Sequence, residues 1–293
     1  MSHLPRITII MPSFNQAHFL EQAIRSVLDQ GYPHLQFGIV DGGSTDGSAQ
    51  IIQRYRDRLD FAIIEPDRGQ AQAINKGLRR AQGEVVGWLC SDDLLLPGAL
   101  HTVGRWFADH PESDWAAGAC RVIDADGRVL EVSQPSGRFT LAGVLLRSER
   151  QRFNLPQPSV FWQRSLHEQV GYLDESLHYC MDFEFWLRLI RSGRWPTLLD
   201  AALAAYRLHG TSKSCAQAAG FLREHVTVEG AYSRDLSWPQ RLELWRRLGY
   251  MRRACAIHEA GGHLPWGAVV RRPWWLLSQQ VRQALWQNGR AAA

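Results

Sequence analysis

The 293-residue chain predicts an α/β fold with a mostly parallel central sheet flanked by helices, followed by a helical C-terminal extension. Three observations carry this. Short β-branched runs alternate with segments of helical apolar spacing over the first hundred residues, as in βαβ units. The segments that leave the carboxyl ends of those runs gather Gly, Asp, Ser and Asn, where ligands lie in such sheets. Beyond residue 216 the apolar spacing becomes helical throughout.

Taken in order, Ile7-Thr8-Ile9-Ile10-Met11 reads as a buried strand stopped by Pro12, because proline cannot donate to a ladder. Phe19, Leu20, Ala23, Ile24, Val27 and Leu28 line one face of a helix over 17–29, which Gly31-Tyr32-Pro33 ends. Leu35–Val40 gives a second strand, and the turn-rich Asp41–Gly47 opens a helix to about Arg58. Phe61–Ile64 (strand), Gln70–Arg80 (helix) and Val85–Leu89 (strand) complete the alternation. A helix starts near Pro97 and runs to Asp109, short strands and turns follow to Ser148, and Asp124-Ala125-Asp126-Gly127 is a hairpin turn. Residues 165–171 and 182–192 read as helices, and 216–287 as helices broken at Pro239, Gly261-Gly262, Pro265 and Pro273.

Composition narrows the class. Five cysteines at scattered positions exclude a disulfide framework and lack zinc-ligand spacing, so reduced thiols in a cytoplasmic setting are expected. The first apolar run is too short for a signal peptide, and no run approaches a membrane span of about 18 residues. The net charge of +4 is local. Residues 221–293 hold 11 Arg against 5 acids and 6 of the 12 Trp, while the rest balances 22 basic against 24 acidic side chains. A nucleic-acid partner is therefore not expected, since its basic stripe would cross the folded face.

Asp92-Asp93 closes an apolar strand. Adjacent carboxylates repel, and a divalent cation bridging them to phosphate oxygens relieves the repulsion. The alternative is a cap and first-turn acid for the helix that follows; for an isolated acidic pair that is the commoner case. Asp41–Ser48 lacks the late glutamate of a calcium loop and the Gly-Lys-Ser/Thr ending of a phosphate loop. It is either a glycine turn capped by Ser44 or Asp46, or a strand-tip acid, Asp41, that meets a base or ribose. Asp182 and Glu184 lie two apart and so face different ways on a helix; Glu184 is spaced to pair with Arg188.

Four segments occur in order: Ile9–Asn15, Val40–Gly47, Asp67–Gly77 and Gly83–Asp93. Gln157–Trp162, Val170–Asp174, Met181–Arg188 and Tyr206–Ser212 follow them. Together they resemble the family 2 inverting glycosyltransferases, of the GT-A nucleotide-diphospho-sugar transferase fold, over about residues 5–215. The resemblance implies a catalytic domain at 1–215 and a helical basic and aromatic extension at 216–293. It implies transfer of a sugar from a nucleotide-diphosphate donor, a UDP-sugar, to a saccharide or lipid-linked hydroxyl acceptor in polysaccharide or glycolipid assembly. Mn²⁺ or Mg²⁺ is the implied cofactor, with Asp93 its direct ligand, Asp92 nearer the ribose or sugar, and His209 a second ligand. Pro12, Ser13, Phe14, Asn15 and Asp41 match positions around the base, and Asp67, Gln70 and Asn75 match the loop and helix covering the donor. Asp182 matches the general base, with Met181 where the usual text has Glu. Arg207 or Lys213 is a candidate for phosphate, and Cys90 and Cys180 read as packing residues.

Two readings from other classes stay open. A catalytically silent sugar-nucleotide-binding protein would keep the loops, and a sugar-1-phosphate nucleotidyltransferase shares the fold but opens with a different loop after its first strand. The C-terminal segment reads either as a helical cap or as an interfacial segment on an anionic membrane surface.

Overall fold

The computed structural model describes residues 3–147, 153–210 and 218–259. Contacts divide the chain into two compact units that interleave along it. The first comprises Met1–Pro135, Leu155–Ser176 and Ser192–Arg207; the second comprises Ser136–Asn154, Leu177–Arg191 and Leu208–Ala293.

The first unit holds the whole sheet. Its strands are β1 (Ile7–Ser13), β2 (Leu35–Asp41), β3 (Phe61–Ile64), β4 (Val85–Trp88), β5 (Leu94–Leu95), β6 (Trp115–Ile123), β7 (Val129–Ser133), β8 (Val160–Gln163) and β9 (Thr197–Arg207). Their order is β3-β2-β1-β4-β8-β6-β9-β5, with β7 beside β6. The half β3-β2-β1-β4 is parallel throughout. Beyond it β8 runs antiparallel to β4 and β6, β9 pairs parallel with β6, and β5 closes antiparallel on β9.

The helices of this unit are α1 (Ala17–Leu28), α2 (Ser48–Arg54), α3 (Gln70–Leu78), α4 (Ala99–Asp109) and α6 (Arg164–Val170). Alternate residues of β1 serve opposite faces. Ile7, Ile9 and Met11 pack with Leu20, Ile24 and Val27 of α1, Ile52 of α2 and Leu100, Val103 and Phe107 of α4. On the other face α3 approaches so closely that a Cβ on Gly77 would lie 2.4 Å from Ile10. Burial on both faces explains why these strands read as continuous apolar runs.

Pro12 does not stop β1, which continues to Ser13 in register with β2. The amide of Leu89 bonds the Ile10 carbonyl, so even-numbered positions of β1 turn toward β4. β4 pairs only as far as Ile10, and the missing N–H of Pro12 falls past its end, where no ladder bond is lost. The hairpin at Asp124–Gly127 forms as expected between β6 and β7.

The second unit contains α5 (Leu141–Leu145), α7 (Met181–Arg191), α8 (Ala218–Ala231) and α9 (Trp238–Glu259). Its α5 lies where strands and turns were expected. The break expected at Pro239 falls just ahead of it, between α8 and α9, and Pro239 sits in the first turn of α9, a position where its absent N–H costs nothing. The expected breaks at Gly261-Gly262, Pro265 and Pro273 lie outside the described residues. Leu244, Leu248 and Met251 of α9 are buried, with α8 packed alongside. Arg247 is buried with Arg147 and His225 around the fully buried carboxylate of Glu229. No described helix is long and apolar enough to cross a membrane.

Candidate active site

The carboxyl ends of β1, β2, β3 and β4 carry the residues singled out in the sequence. After β1, Asn15 takes a left-handed conformation (φ 51°), which asparagine tolerates better than most residues. Its amide donates to Ser44 Oγ at 2.8 Å, and its Oδ1 accepts from the Thr45 amide at 2.9 Å. Phe14 is thereby left 59% exposed. Ser13 is buried, and its hydroxyl has no hydrogen-bond partner.

After β2, Asp41 is buried and turned onto its own loop. Its Oδ1 accepts from the amides of Gly43 (3.1 Å) and Ser44 (2.7 Å), and its Oδ2 accepts from the Ser44 hydroxyl (2.7 Å). Asp46 receives the Ala17 amide at 2.8 Å and both the amide and hydroxyl of Ser48, tying α1 and α2 to this loop.

After β3, Asp67 accepts from the Gly69 amide at 2.9 Å. Gly69 has φ 134° at the start of α3, a conformation L side chains rarely adopt. A Cβ on Gly42 would lie 2.7 Å from Asp67 Oδ2, so the β2 and β3 loops touch. Gln70 donates to Cys90 Sγ at 3.0 Å. The amide of Asn75 is fully committed: it donates to the Leu173 carbonyl (2.9 Å) and Glu175 (3.1 Å) and accepts from the Leu173 amide (3.0 Å). Glu175 also takes Arg68 at 2.7 Å.

After β4 come the two acids. Asp93 is 1% exposed, and its Oδ1 accepts from the Arg207 amide at 2.9 Å. Asp92 is half-buried. Metal-ligating atoms of Cys90, Asp92 and Asp93 lie within 4.8 Å of one another. Burial, and then the charge of Asp92, push the Asp93 carboxyl well above the usual carboxylate range. Three potential ligands, two of them mutually repelling acids, form a set that fits a divalent cation.

Arg207, at the end of β9, holds this cluster from below. Its side chain donates to the carbonyls of Asp92 (2.9 Å), Asp124 (3.3 Å) and Ala125 (2.9 Å) and to Gln22 (2.7 Å), and it lies 4.9 Å over the Phe19 ring. That commitment corrects its expected phosphate role: Arg207 is 1% exposed and braces the fold. Lys213 lies outside the described residues. Cys90, expected to pack, stands instead in the acidic cluster. Its place immediately before Ser91-Asp92-Asp93 was the available signal.

In the second unit Asp182 occupies the first turn of α7. It is half-buried and accepts from the Phe183 amide at 2.7 Å. Burial raises its carboxyl to about 6 against that bond, with the charge of Glu224 adding to the rise. Glu184 is held by Arg188 (2.9 Å) and the Tyr232 hydroxyl (2.9 Å), the expected structural partnership. His209 belongs to this unit, half-buried two residues after β9 ends.

The sequence model described as "Glycosyl transferase family 2" matches residues 8–169, more than half of the chain. The chain belongs to this glycosyltransferase family. A putative teichuronic acid biosynthesis glycosyltransferase of Bacillus subtilis, TuaG, is 44% identical to the enzyme over 92 residues, 30% of this chain and 36% of that protein. An uncharacterized glycosyltransferase of Nostoc is 26% identical over 275 residues, covering 84% and 81%. Against such relatives the chain thus spans from about a third to four fifths of their length.

Among solved structures, TarS 1–349 of S. aureus in complex with UDP-GlcNAc matches with a TM-score of 0.61 at 19% identity, over 85% of this chain and 73% of that one. The mannosyltransferase PcManGT of Pyrobaculum calidifontis, in complex with GDP-Man and Mn²⁺, matches at 0.60 and 19%, over 97% and 85%. At that identity these likenesses establish the GT-A-like fold of the glycosyltransferase.

Proposed function

We propose that the enzyme transfers a sugar from a nucleotide-diphosphate donor, a UDP-sugar, to a hydroxyl acceptor with inversion and with a divalent cation. The observation that carries this is the Cys90–Asp92–Asp93 cluster at the end of β4, beside the donor loops of β1 to β3. The exposed ring of Phe14 and the unpartnered hydroxyl of Ser13 suit the base and ribose, with Pro12 and Asn15 shaping that wall. Asp67 and Gln70 border the donor from the β3 side. Asp41, whose Oδ2 accepts only the Ser44 hydroxyl among the described residues, is proposed to meet the base, while Asn75, whose amide is committed to Leu173 and Glu175, shapes the site.

Mn²⁺ or Mg²⁺, when bound, neutralises charge on the departing diphosphate. The resemblance makes Asp93 the direct ligand; because Asp92 is the more open of the two acids, we assign the direct contact to Asp92 instead, with Asp93 as the fixed, Arg207-anchored acid behind it. His209 is proposed as a further ligand. Asp182 is the base: it takes the proton of the acceptor hydroxyl while that oxygen bonds to the anomeric carbon. The bond from that carbon to the diphosphate breaks, and the nucleoside diphosphate leaves.

We take residues 1–215 as the extent of the catalytic domain. The name of the TuaG relative supports a role in polysaccharide assembly. Exposed Trp238 and Trp245 beside Arg246, Arg252 and Arg253 support an anionic membrane surface as partner; sedimentation with anionic liposomes at low salt tests that part.

The donor reading is tested by thermal stabilisation with a panel of nucleoside diphosphates, each with and without Mn²⁺. A ligand bound only by the folded state raises stability. Metal-dependent stabilisation by UDP above the others is expected. No stabilisation by any diphosphate at about 100 times micromolar affinity, where about 2.7 kcal/mol is due, would overturn the reading.

A further inference from the structure

The turn that leads into α7, His178-Tyr179-Cys180, contains no Ser, Thr, Asp or Asn to cap the helix. Its free amides are met instead by one carboxylate from α8, 44 to 46 residues downstream. Glu224 Oε1 accepts from the His178 amide at 2.7 Å, and Oε2 accepts from the amides of Tyr179 (2.7 Å) and Cys180 (3.1 Å). The Cys180 thiol points to the same oxygen at 3.6 Å. Three successive backbone donors on one ionised group are charge-assisted bonds, about twice as strong as neutral ones. Asp182 is the second residue of the helix so fixed.

We propose that Glu224 is a positioning residue for sugar transfer, clamping the His178–Cys180 turn and thereby fixing the direction and charge environment of the Asp182 carboxylate. The inference rests on Asp182 being the base. Glu224 itself lies outside every motif of the sequence.

Several other charged or titratable groups surround this turn. His178, Tyr179, Cys180, Glu184 and Arg188 lie on its own segment, His225 and Glu229 on α8, Arg147 after α5 and Arg247 on α9. Glu184 is neutralised by Arg188, and Glu229 by Arg147 and Arg247. His225 is held neutral, by burial first and then by the two arginines. The Cys180 thiol is pushed up by burial and then by Glu224, so it too is neutral. Glu224 is therefore the negative charge that Asp182 feels, and it makes ionisation harder.

The test is a titration of Asp182 by carboxyl NMR in protein labelled with ¹³C-aspartate, the resonance being assigned by its loss in Asp182→Asn. In the wild type a midpoint at about 6 is expected. In Glu224→Gln the neutral amide removes the like charge, and its single oxygen cannot accept from all three amides, so its NH2 faces at least one of them. The midpoint then falls, by a few tenths of a pH unit or more, and the acid limb of kcat/KM moves to lower pH while kcat drops at least about tenfold. A merely structural role lowers activity with the limb unmoved.

Glu224→Asp keeps the charge and shortens the reach; it retains the raised midpoint with reduced kcat, and it carries the test if Glu224→Gln does not fold. An unchanged midpoint and limb in Glu224→Gln, or wild-type kcat in Glu224→Asp, overturns the inference. Wild-type turnover in Asp182→Asn overturns the base reading instead, and the two failures are thus distinct.

Discussion

Replacing Asp93 with asparagine sets two effects against each other. Asp93 sits beside Asp92 with ligating atoms no more than 4.8 Å apart, and Coulomb's law at an effective dielectric of about 20 gives at least about 3.5 kcal/mol of repulsion when both are ionised. The asparagine oxygen can still accept the Arg207 amide, but that bond loses its charge assistance, a loss of about 1–2 kcal/mol. The metal-free variant is therefore expected to be more stable than wild type at pH 8 by at least about 1.5–2.5 kcal/mol, a rise in Tm of about 3–10 °C.

The pH dependence follows in sign. The folded-state pKa of Asp93 is raised, by burial and then by Asp92. The stability it contributes is present below the unfolded carboxylate value and lost as pH rises through the folded one. The advantage of the variant should accordingly shrink toward pH 5. Opposite behaviour is expected once Mn²⁺ is added. With one charge gone behind the ligand, Mn²⁺ affinity falls about 10- to 100-fold, and the additional stabilisation by Mn²⁺ with UDP falls with it. Thermal denaturation at pH 5 and 8, with and without Mn²⁺ and UDP, measures all of this. A metal-free variant less stable than wild type at pH 8, with an undiminished Mn²⁺ increment, would refute the reasoning.

Asp182→Asn should lower kcat by about 10²–10⁴-fold with donor-induced stabilisation kept, and the wild-type kcat/KM should fall as pH drops below about 6, where the base becomes protonated. Arg207→Met removes a buried cation bound to four oxygens, and urea unfolding should show a loss of about 3–5 kcal/mol. Asn75→Ala leaves the Leu173 amide and carbonyl without their partner; a cost of about 2–4 kcal/mol is expected, with little change in donor KM. Gly69→Ala forces a side chain onto φ 134° at the head of α3 and should cost about 1–3 kcal/mol together with weaker donor-induced stabilisation.

The parallel half of the sheet was legible because both faces of β1, β2 and β4 are covered, which leaves an apolar run in the sequence. β9 was not. Thr197–Arg207 is rich in alanine and leucine, residues of high helix propensity, and becomes a strand only through pairing with β6 and β5. Pro12 misled because a proline's tolerance depends on which side of the strand its nitrogen faces, and that is a matter of where β4 ends. In the site, Asp92, Asp93 and Asp182 could be picked out by residue type and order. What each polar atom bonds could not, since Asp41 and Asn75 owe their partners to local loop geometry and to a segment 98 residues away. The bracing role of Arg207 and the whole of Glu224 escaped for the same reason: most of their partners are backbone groups, which carry no sequence signal.

The strand order also has a meaning for the growing polypeptide. β5, directly after Asp93, has no partner until Ala204 and Ala205 of β9 exist, and the Asp93 carboxylate waits for the Arg207 amide, 114 residues later. A ribosome adds that length in about 6–23 s, during which β1 to β4 can already have paired among themselves. The acidic end of β4 is thus the last part of the sheet to leave water, and a nascent chain released anywhere before residue 207 ends with its sheet open and its carboxylates uncovered.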